Sequence, residues 1–267
     1  MDKVVSFHQG TLPLLVSIPH AGLKLTPAVE AGLVDAATDL PDTDWHIPRL
    51  YDFARELGAS VVVGEYSRFV IDLNRPEDDQ PLYAGATTGL FPATLFEGEP
   101  LFKDGLAPSA QERAGYLEGI WRPYHDTIIA ELARLREQFG YALLWDAHSI
   151  RSVIPHLFDG TLPDFNIGTF NGASCDEQLA QRLKGVCAQA EGYSHVLNGR
   201  FKGGHITRHY GNPAEHVHAV QLELAQCRYM EEVAPFAYRD DLAQPTQRVL
   251  EQMLVAMLGW ARERYPA

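Results

Sequence analysis

No run of about 18 consecutive apolar residues occurs in the sequence, so no segment is expected to span a bilayer. Cysteine is scarce. Cys175, Cys187 and Cys227 are widely spaced, odd in number and form no CxxC pair. That argues against a disulfide framework or a zinc-ribbon site and points to reduced thiols in a cytoplasmic protein. Positive charge is short as well: 22 Lys and Arg stand against 35 Asp and Glu, a net charge of −13. Such a balance speaks against nucleic acid or an anionic membrane as the main partner. Any anionic ligand must then be drawn in by a local cluster of cations. The opening MDKVVSFHQG lacks the long apolar stretch of a secretory signal.

What is present is the composition of a folded protein. Of 267 residues, 46% are hydrophobic and 21% charged, enough for a sizeable core within one unit spanning residues 1–267. Short apolar runs predict buried strands at Leu14 to Ile18, Ser60 to Val63, Phe69 to Leu73, Tyr141 to Trp145 and Val217 to Leu224. Helix signals fall between them. Thr26-Pro27 reads as a helix start, and Ile47, Leu50, Tyr51, Ala54 and Leu57 recur at helical spacing before Gly58, from a start near Asp44. Ser109 and Glu112 form a capping-box pattern ahead of a helix that runs towards Phe139 and bends near Pro123. Ser174 and Glu177 open another helix, and Val249, Met253, Met257 and Trp260 mark an amphipathic C-terminal one. Residues 85–108, rich in Gly and Pro, read as an excursion that could cover a site. Strands alternating with helices predict an α/β fold with a mixed, mostly parallel sheet.

Several of the predicted strands finish in polar residues. The first ends SIPHAG, with His20; the third ends DLNR, with Asp72, Asn74 and Arg75; the fourth ends WDAHSIR, with Asp146, His148, Ser149 and Arg151. Ligands of open α/β sheets bind at the carboxyl ends of strands, so these tails can converge on one crevice. His20 and His148 follow rigid strands closely and are candidates for a zinc site, in which three protein ligands leave a position for water. Asp44 or His46 in PDTDWH could supply the third ligand, unless Asp44 or Asp42 only caps the following helix. Arg75 and Arg68 offer guanidinium forks matched to a carboxylate, against a plain ion pair of Arg75 with Asp72 or Glu77. Glu223 interrupts the apolar VQLELA. Facing the crevice, it would be desolvated and suited to acid–base work; facing outward, it would be an ordinary surface carboxylate. The segment GRFKGGHITRHYG carries Lys202, His205, Arg208 and His209 among glycines. It lacks a nucleotide phosphate-loop pattern, leaving either an anion-binding loop or a solvated turn.

In order along the chain, SIPHAG, DTDWH, SRFVIDLNRP, LLWDAHSIRS, NIGTFNGASCD, NGRFKGGHI and VQLEL resemble the motifs of the N-formylglutamate amidohydrolase family of histidine degradation. The likeness extends more distantly to zinc carboxypeptidases, whose DxNR and HS patterns match Asp72 to Arg75 and His148-Ser149. It implies a three-layer α/β/α fold of the zinc-carboxypeptidase or phosphorylase/hydrolase type. It also implies cleavage of N-formyl-L-glutamate to L-glutamate and formate, with one zinc ion per chain. His20 and His148 would be metal ligands and Glu223 the base, with Arg75 and Asn74 holding a carboxylate. Arg68 would face the oxyanion, and Asp72 would orient Arg75. The second substrate carboxylate would fall to Arg208, His205 or Arg151. Carboxypeptidases place a glutamate three residues after the first histidine; here that position is Leu23, which makes Asp44 the expected third ligand and His46 the next choice. Competing readings are a hydrolase of another N-acyl amino acid or a C-terminal peptide bond, a non-catalytic ligand-binding relative, and a serine hydrolase using Ser149 beside His148.

Overall fold

The computed structural model describes residues 3–82 and 88–266. Seven strands form one sheet: β1 (Val5–His8), β2 (Leu14–Ile18), β3 (Ser60–Gly64), β4 (Ala142–Ile150), β5 (Phe165–Gly168), β6 (His195–Leu197) and β7 (Val217–Ala225). Their order across the sheet is β1-β3-β2-β4-β7-β5-β6. The pairs β3/β2, β2/β4, β4/β7 and β5/β6 are parallel, while β1/β3 and β5/β7 are antiparallel. The sheet is mixed and mostly parallel, as the alternation of strands and helices predicts.

The strand sequences are apolar on both sides because both faces are covered. Leu14, Val16 and Ile18 of β2 point into one core, and Leu15 points into the other. The helices are α1 (Pro27–Gly32), α2 (Ile47–Leu50), α3 (Phe53–Leu57), α4 (Ala110–Tyr116), α5 (Arg122–Phe139), α6 (Glu177–Gln189), α7 (His205–Tyr210) and α8 (Asp240–Arg264). Residues of α2, α3, α6 and α8 fill the first core; those of α1, α4, α5 and α7 fill the second. The result is a three-layer α/β/α arrangement.

Local differences from the sequence expectations have physical causes. Phe69 to Leu73 is not a strand. The run is buried in the second core but forms turns, closed by Val70 N–H donating to Ser67 O (2.9 Å) and Arg75 N–H to Asp72 O (3.2 Å). Burial without pairing leaves the same apolar signature as a sheet position. The helix expected from Asp44 to Leu57 is split into α2 and α3, and α2 starts only at Ile47 because His46 sits at φ 62°. The Ser109–Glu112 capping box is present. Around Pro123 the chain widens into a π-helical stretch, Leu117–Trp121, which accommodates a proline ring that cannot donate. The cap of α6 is Asp176, whose carboxylate accepts from Gln178 N–H, while Ser174 Oγ donates to Ala219 O at 2.7 Å. Strands β1, β5 and β6 lie outside the runs expected from hydrophobicity. Of the excursion at residues 85–108, residues 85–87 lie outside the described residues; Leu90, Leu95 and Leu101 pack into the second core. No helix among the described residues is long and apolar enough to cross a membrane.

Candidate metal centre and substrate cleft

Three adjacent parallel strands, β2, β4 and β7, end on the same side of the sheet, as their parallel registers require. His20 follows β2 by two residues. His148 lies on β4 directly across from Glu223 on β7, and Asp146 lies across from Gln221. Asp44 is brought in from the loop before α2, where its N–H donates to His20 O (3.1 Å) and its Oδ2 accepts from Ser149 N–H (3.1 Å). Asp44 makes no side-chain cap to α2, and Asp42 is occupied by Phe96 N–H at 2.8 Å.

His20, Asp44 and His148 are all buried, and one nitrogen or oxygen of each lies within 4.8 Å of the others. Asp44 Oδ2 is 3.1 Å from His148 Nδ1 and 3.9 Å from His20 Nδ1, and the imidazole centroids are 4.9 Å apart. The outer nitrogens are anchored by carboxylates. His20 Nε2 donates to Asp72 Oδ1 (2.7 Å), and His148 Nε2 lies 3.0 Å from Asp146 Oδ2 and 2.9 Å from Asn74 Nδ2. Such partners fix a ring's orientation and leave its other nitrogen available to a metal. His20 Nδ1 is buried with no hydrogen-bond partner. An orphaned buried acceptor is costly, and a cation bridging it to Asp44 and His148 satisfies it. The donor set of two imidazoles and one carboxylate therefore fits a divalent metal ion. His46 takes no part, because its Nε2 donates to Phe236 O at 2.7 Å.

The electrostatics favour a cation at this point. Burial opposes the charged form of His148, yet Asp146 and Asp44 outweigh it and hold its pKa well above the ordinary imidazole value. Burial and the charge of Arg68 lower the pKa of His20, keeping it neutral and able to act as a ligand. Asp44 is pushed up by burial but held below the usual carboxylate value by His148, His20 and Arg68. Glu223 is different. Burial, with Asp44 and Asp146 adding to it, raises its carboxyl to about 8 against the pull of His148 and Arg68. Its Oε2 accepts from Gln221 Nε2 at 3.3 Å.

Asp72 gathers the cationic side of the site. It accepts from His20, from Arg68 Nη2 (2.8 Å) and from Asn74 N–H (2.8 Å). Its pKa is pushed up by burial but brought well below the carboxylate value by its contact with His20 and by the charges of Arg68 and Arg75. Arg68 Nη1 also lies 3.8 Å from Asp44 Oδ1, the guanidinium sits over the Phe96 ring, and Nε is buried with no partner. Asn74 is tied on both sides of its amide: Oδ1 accepts from Ile206 N–H (2.8 Å), and Nδ2 donates to Asp146 Oδ2 (3.3 Å). The turn from Asp72 to Arg75 is held from α5 as well. His125 Nε2 donates to Leu73 O (2.9 Å), and Trp121 Nε1 donates to Arg75 O (3.0 Å).

These groups open into one cleft, lined by His20, Asp44, His148 and Glu223 together with Arg68, Asn74, Arg75 and Arg200, and walled by Phe96, Ile150, Leu157 and Phe201. Arg75 is braced at its edge, donating from Nε to Thr88 O (2.7 Å) and from Nη2 to Thr88 Oγ1 (3.2 Å). The other cations expected from the sequence line up elsewhere. Arg208 donates to Gly203 O and Leu82 O and lies over Phe170; Arg151 pairs with Glu97 (2.9 Å) and lies 3.7 Å from Asp42. His205 serves through its backbone, its N–H donating to Asn74 O, while its ring stacks on His209. None of these three is among the residues lining the cleft. Ser149 is turned away from His148 as its strand neighbour, and its Oγ accepts from Tyr229 OH at 2.7 Å, so the pair does not form a nucleophile and base. The roles of Asp146 and Gln221, and the position of Arg200, went unread in the sequence. Asp146 carried one signal, a carboxylate two residues before His148 on an apolar strand.

The profile of the N-formylglutamate amidohydrolase family matches residues 12–230. An N-formylglutamate deformylase of Pseudomonas putida is 78% identical over 265 residues, covering 99% of both chains. One of Pseudomonas aeruginosa is 69% identical, covering 99% of this chain and all of its own. Among solved structures, an N-formylglutamate amidohydrolase from Ralstonia eutropha JMP134 superposes with a TM-score of 0.83 at 20% identity, covering 97% of this chain and 99% of that one.

Proposed function

Because the chain belongs to the N-formylglutamate amidohydrolase family, we propose that it hydrolyses N-formyl-L-glutamate to L-glutamate and formate, using a divalent ion held by His20, Asp44 and His148. The observation that carries this reading is the buried His20–Asp44–His148 group opening into the same arginine-bearing cleft as Glu223. Zinc suits two imidazoles and a carboxylate, and when bound it supplies Lewis acidity and lowers the pKa of water from about 15.7 to about 7.

The chain's own groups carry the protons and the charge. Glu223 takes the proton of the attacking water as the oxygen bonds to the formyl carbon. It then delivers a proton to the amide nitrogen as the C–N bond breaks, leaving formate and a free amine. Its elevated pKa of about 8 makes it a weak acid able to return that proton near neutrality. Charge compensation of Asp44 removes one of the pushes on Glu223 and favours its ionised, proton-accepting form. Arg68, with its buried Nε unpartnered, is placed to donate to the oxygen that becomes negative in the tetrahedral state. Asp72 holds that guanidinium and the His20 ring together. Arg75 takes a substrate carboxylate, while Asn74, tied to Asp146 and Ile206, shapes the turn that presents it. The free thiols and the metabolite substrate support a cytoplasmic location.

The test joins metal content to turnover. Purified protein is expected to carry one zinc per chain, to lose formate release on chelation and to regain it on adding zinc. Glu223→Gln is expected to keep the metal and to lose about 10²–10⁴-fold in kcat. Full deformylation by metal-stripped protein, or an undiminished Glu223→Gln variant, overturns the mechanism.

A further inference from the structure

A dicarboxylate substrate entering a protein of net charge −13 needs a second local cation besides Arg75. We infer that Arg200 is that cation and that it selects the side-chain carboxylate of the substrate; the inference rests on the N-formylglutamate reading. Three guanidiniums line the cleft: Arg68, Arg75 and Arg200. Arg68 is committed to the Asp72 carboxylate beside the metal group, and Arg75 is fixed at the Thr88 corner. Arg200 comes from a different part of the chain, the segment that joins β6 to α7.

That segment is held rigidly. A Cβ at Gly168 would lie 2.7 Å from Gly203 N, and Gly203 itself takes φ +117°, a conformation open to glycine. Gly204 N–H donates to Gln221 Oε1 (2.6 Å), which ties the segment to the residue two positions before Glu223. Arg200 Nε donates to Leu157 O (3.1 Å), its guanidinium lies over the Phe201 ring at 5.5 Å, and the residue lines the cleft. The same cleft has an apolar wall, made by Leu157, Phe201, Phe96 and Ile150, that suits the two methylenes of a glutamyl side chain. A cation beside an apolar wall reads a terminal charge and disfavours its neutral isostere, because the charge-assisted contact to the anion is lost.

The experiment compares kcat/KM for N-formyl-L-glutamate and N-formyl-L-glutamine in the wild type, Arg200→Met and Arg200→Lys. Arg200→Met is expected to lose about 100-fold on the glutamate substrate, chiefly in KM, and less than about threefold on the glutamine substrate, the size of one charge-assisted contact. Arg200→Lys keeps the charge without the fork and is expected to fall between. Should Arg200→Met not fold, the lysine variant must still shift the substrate ratio at least fivefold. Equal losses on both substrates would make Arg200 a structural brace and overturn the inference, as would an unchanged ratio. A wild type that releases no formate from N-formyl-L-glutamate fails the proposed function itself, a result separable from either.

Discussion

Replacing Asp72 with Asn removes one charge and leaves the shape nearly intact, which makes it a sharp probe of how this site is held. The carboxylate accepts from three donors at 2.7–2.8 Å: His20 Nε2, Arg68 Nη2 and Asn74 N–H. An amide offers one oxygen, so at least one donor then faces an N–H. Removing one partner of a buried ion pair costs roughly 3–5 kcal/mol. Asp44 Oδ1 remains 3.8 Å from Arg68 Nη1 and compensates part of the charge, which places the expected loss near the lower end, about 3 kcal/mol. Weakening the partner of a metal-binding histidine lowers metal affinity by about 10–100-fold. The assays are urea unfolding of the metal-stripped protein and a competition titration with a zinc chelator. The sign with pH follows from Asp72 lying well below its ordinary value of 3.8. Its contribution is present above that value and is lost only as pH falls through the lower folded pKa, so the gap between wild type and variant should close only in strong acid. Adding Arg68→Met to Asp72→Asn is expected to return at least about 1 kcal/mol of stability, since the stranded charge is gone, without returning activity. A single variant within about 1 kcal/mol of wild type and within threefold in zinc affinity would refute the claim that Asp72 holds both groups.

At Gly204 an added Cβ would overlap the Asn74 amide, whose Cγ would lie only 2.6 Å away. Gly204→Ala is therefore expected to displace Asn74 from Asp146 and Ile206 and to lower kcat/KM at least about tenfold in a formate-release assay, a 1 Å misplacement being worth up to 10². At the opposite end of β7, His218 Nδ1 accepts from Asp176 N–H (3.1 Å) and Nε2 pairs with Tyr265 OH (2.7 Å), so the ring is held neutral. Burial lowers its pKa from 6.5 to about 4. The unfolded chain then takes up a proton first, and stability falls as pH drops from about 6.5 towards 4. The full gap corresponds to about 3 kcal/mol as an upper bound, and we expect about 1–3 kcal/mol. His218→Gln should flatten that part of the stability–pH curve, and an unchanged slope would rule out His218 as its source.

Much of this architecture was legible because central parallel strands are apolar on both faces. LLVSI, SVVVG and VHAVQLELA need no partner sequence to be recognised as buried. Edge strands carry no such mark: VSFH is half exposed, and HVL is three residues long and only partly buried. Phe69 to Leu73 misled for the converse reason, since burial in an irregular turn gives the same run of apolar side chains. Within the site, His20 and His148 stood out because polar groups directly after, or within, apolar segments are costly unless used, while Asp44 was reached through the DTDWH motif and Leu23. Asp72 and Asp146 sit in the same motifs, but which ring each would anchor depends on chain crossings that only the fold supplies. Arg208, Arg151 and Arg200 all lie in polar segments, Arg208 on the short helix α7 and the other two in loops, and sequence offers no signal for which of them borders the cleft. Their separation comes from local partners: Arg208 is tied to the backbone carbonyls of Gly203 and Leu82, and Arg151 to the Glu97 carboxylate.

The placement of His148 opposite Glu223 has a mechanical corollary. The proposed ligand and the proposed proton carrier occupy one rung of a parallel ladder, so the interval between their backbones is the spacing of neighbouring strands, about 4.8 Å, and not a property of either side chain's surroundings. A slip of one residue would turn the carboxylate to the far face and abolish the pairing outright. On the proposed roles, the acid–base geometry survives fraying of the peripheral helices and fails only when the middle of the sheet melts, whereas the cations assigned to the substrate's charges, carried by loops, can be retuned on their own.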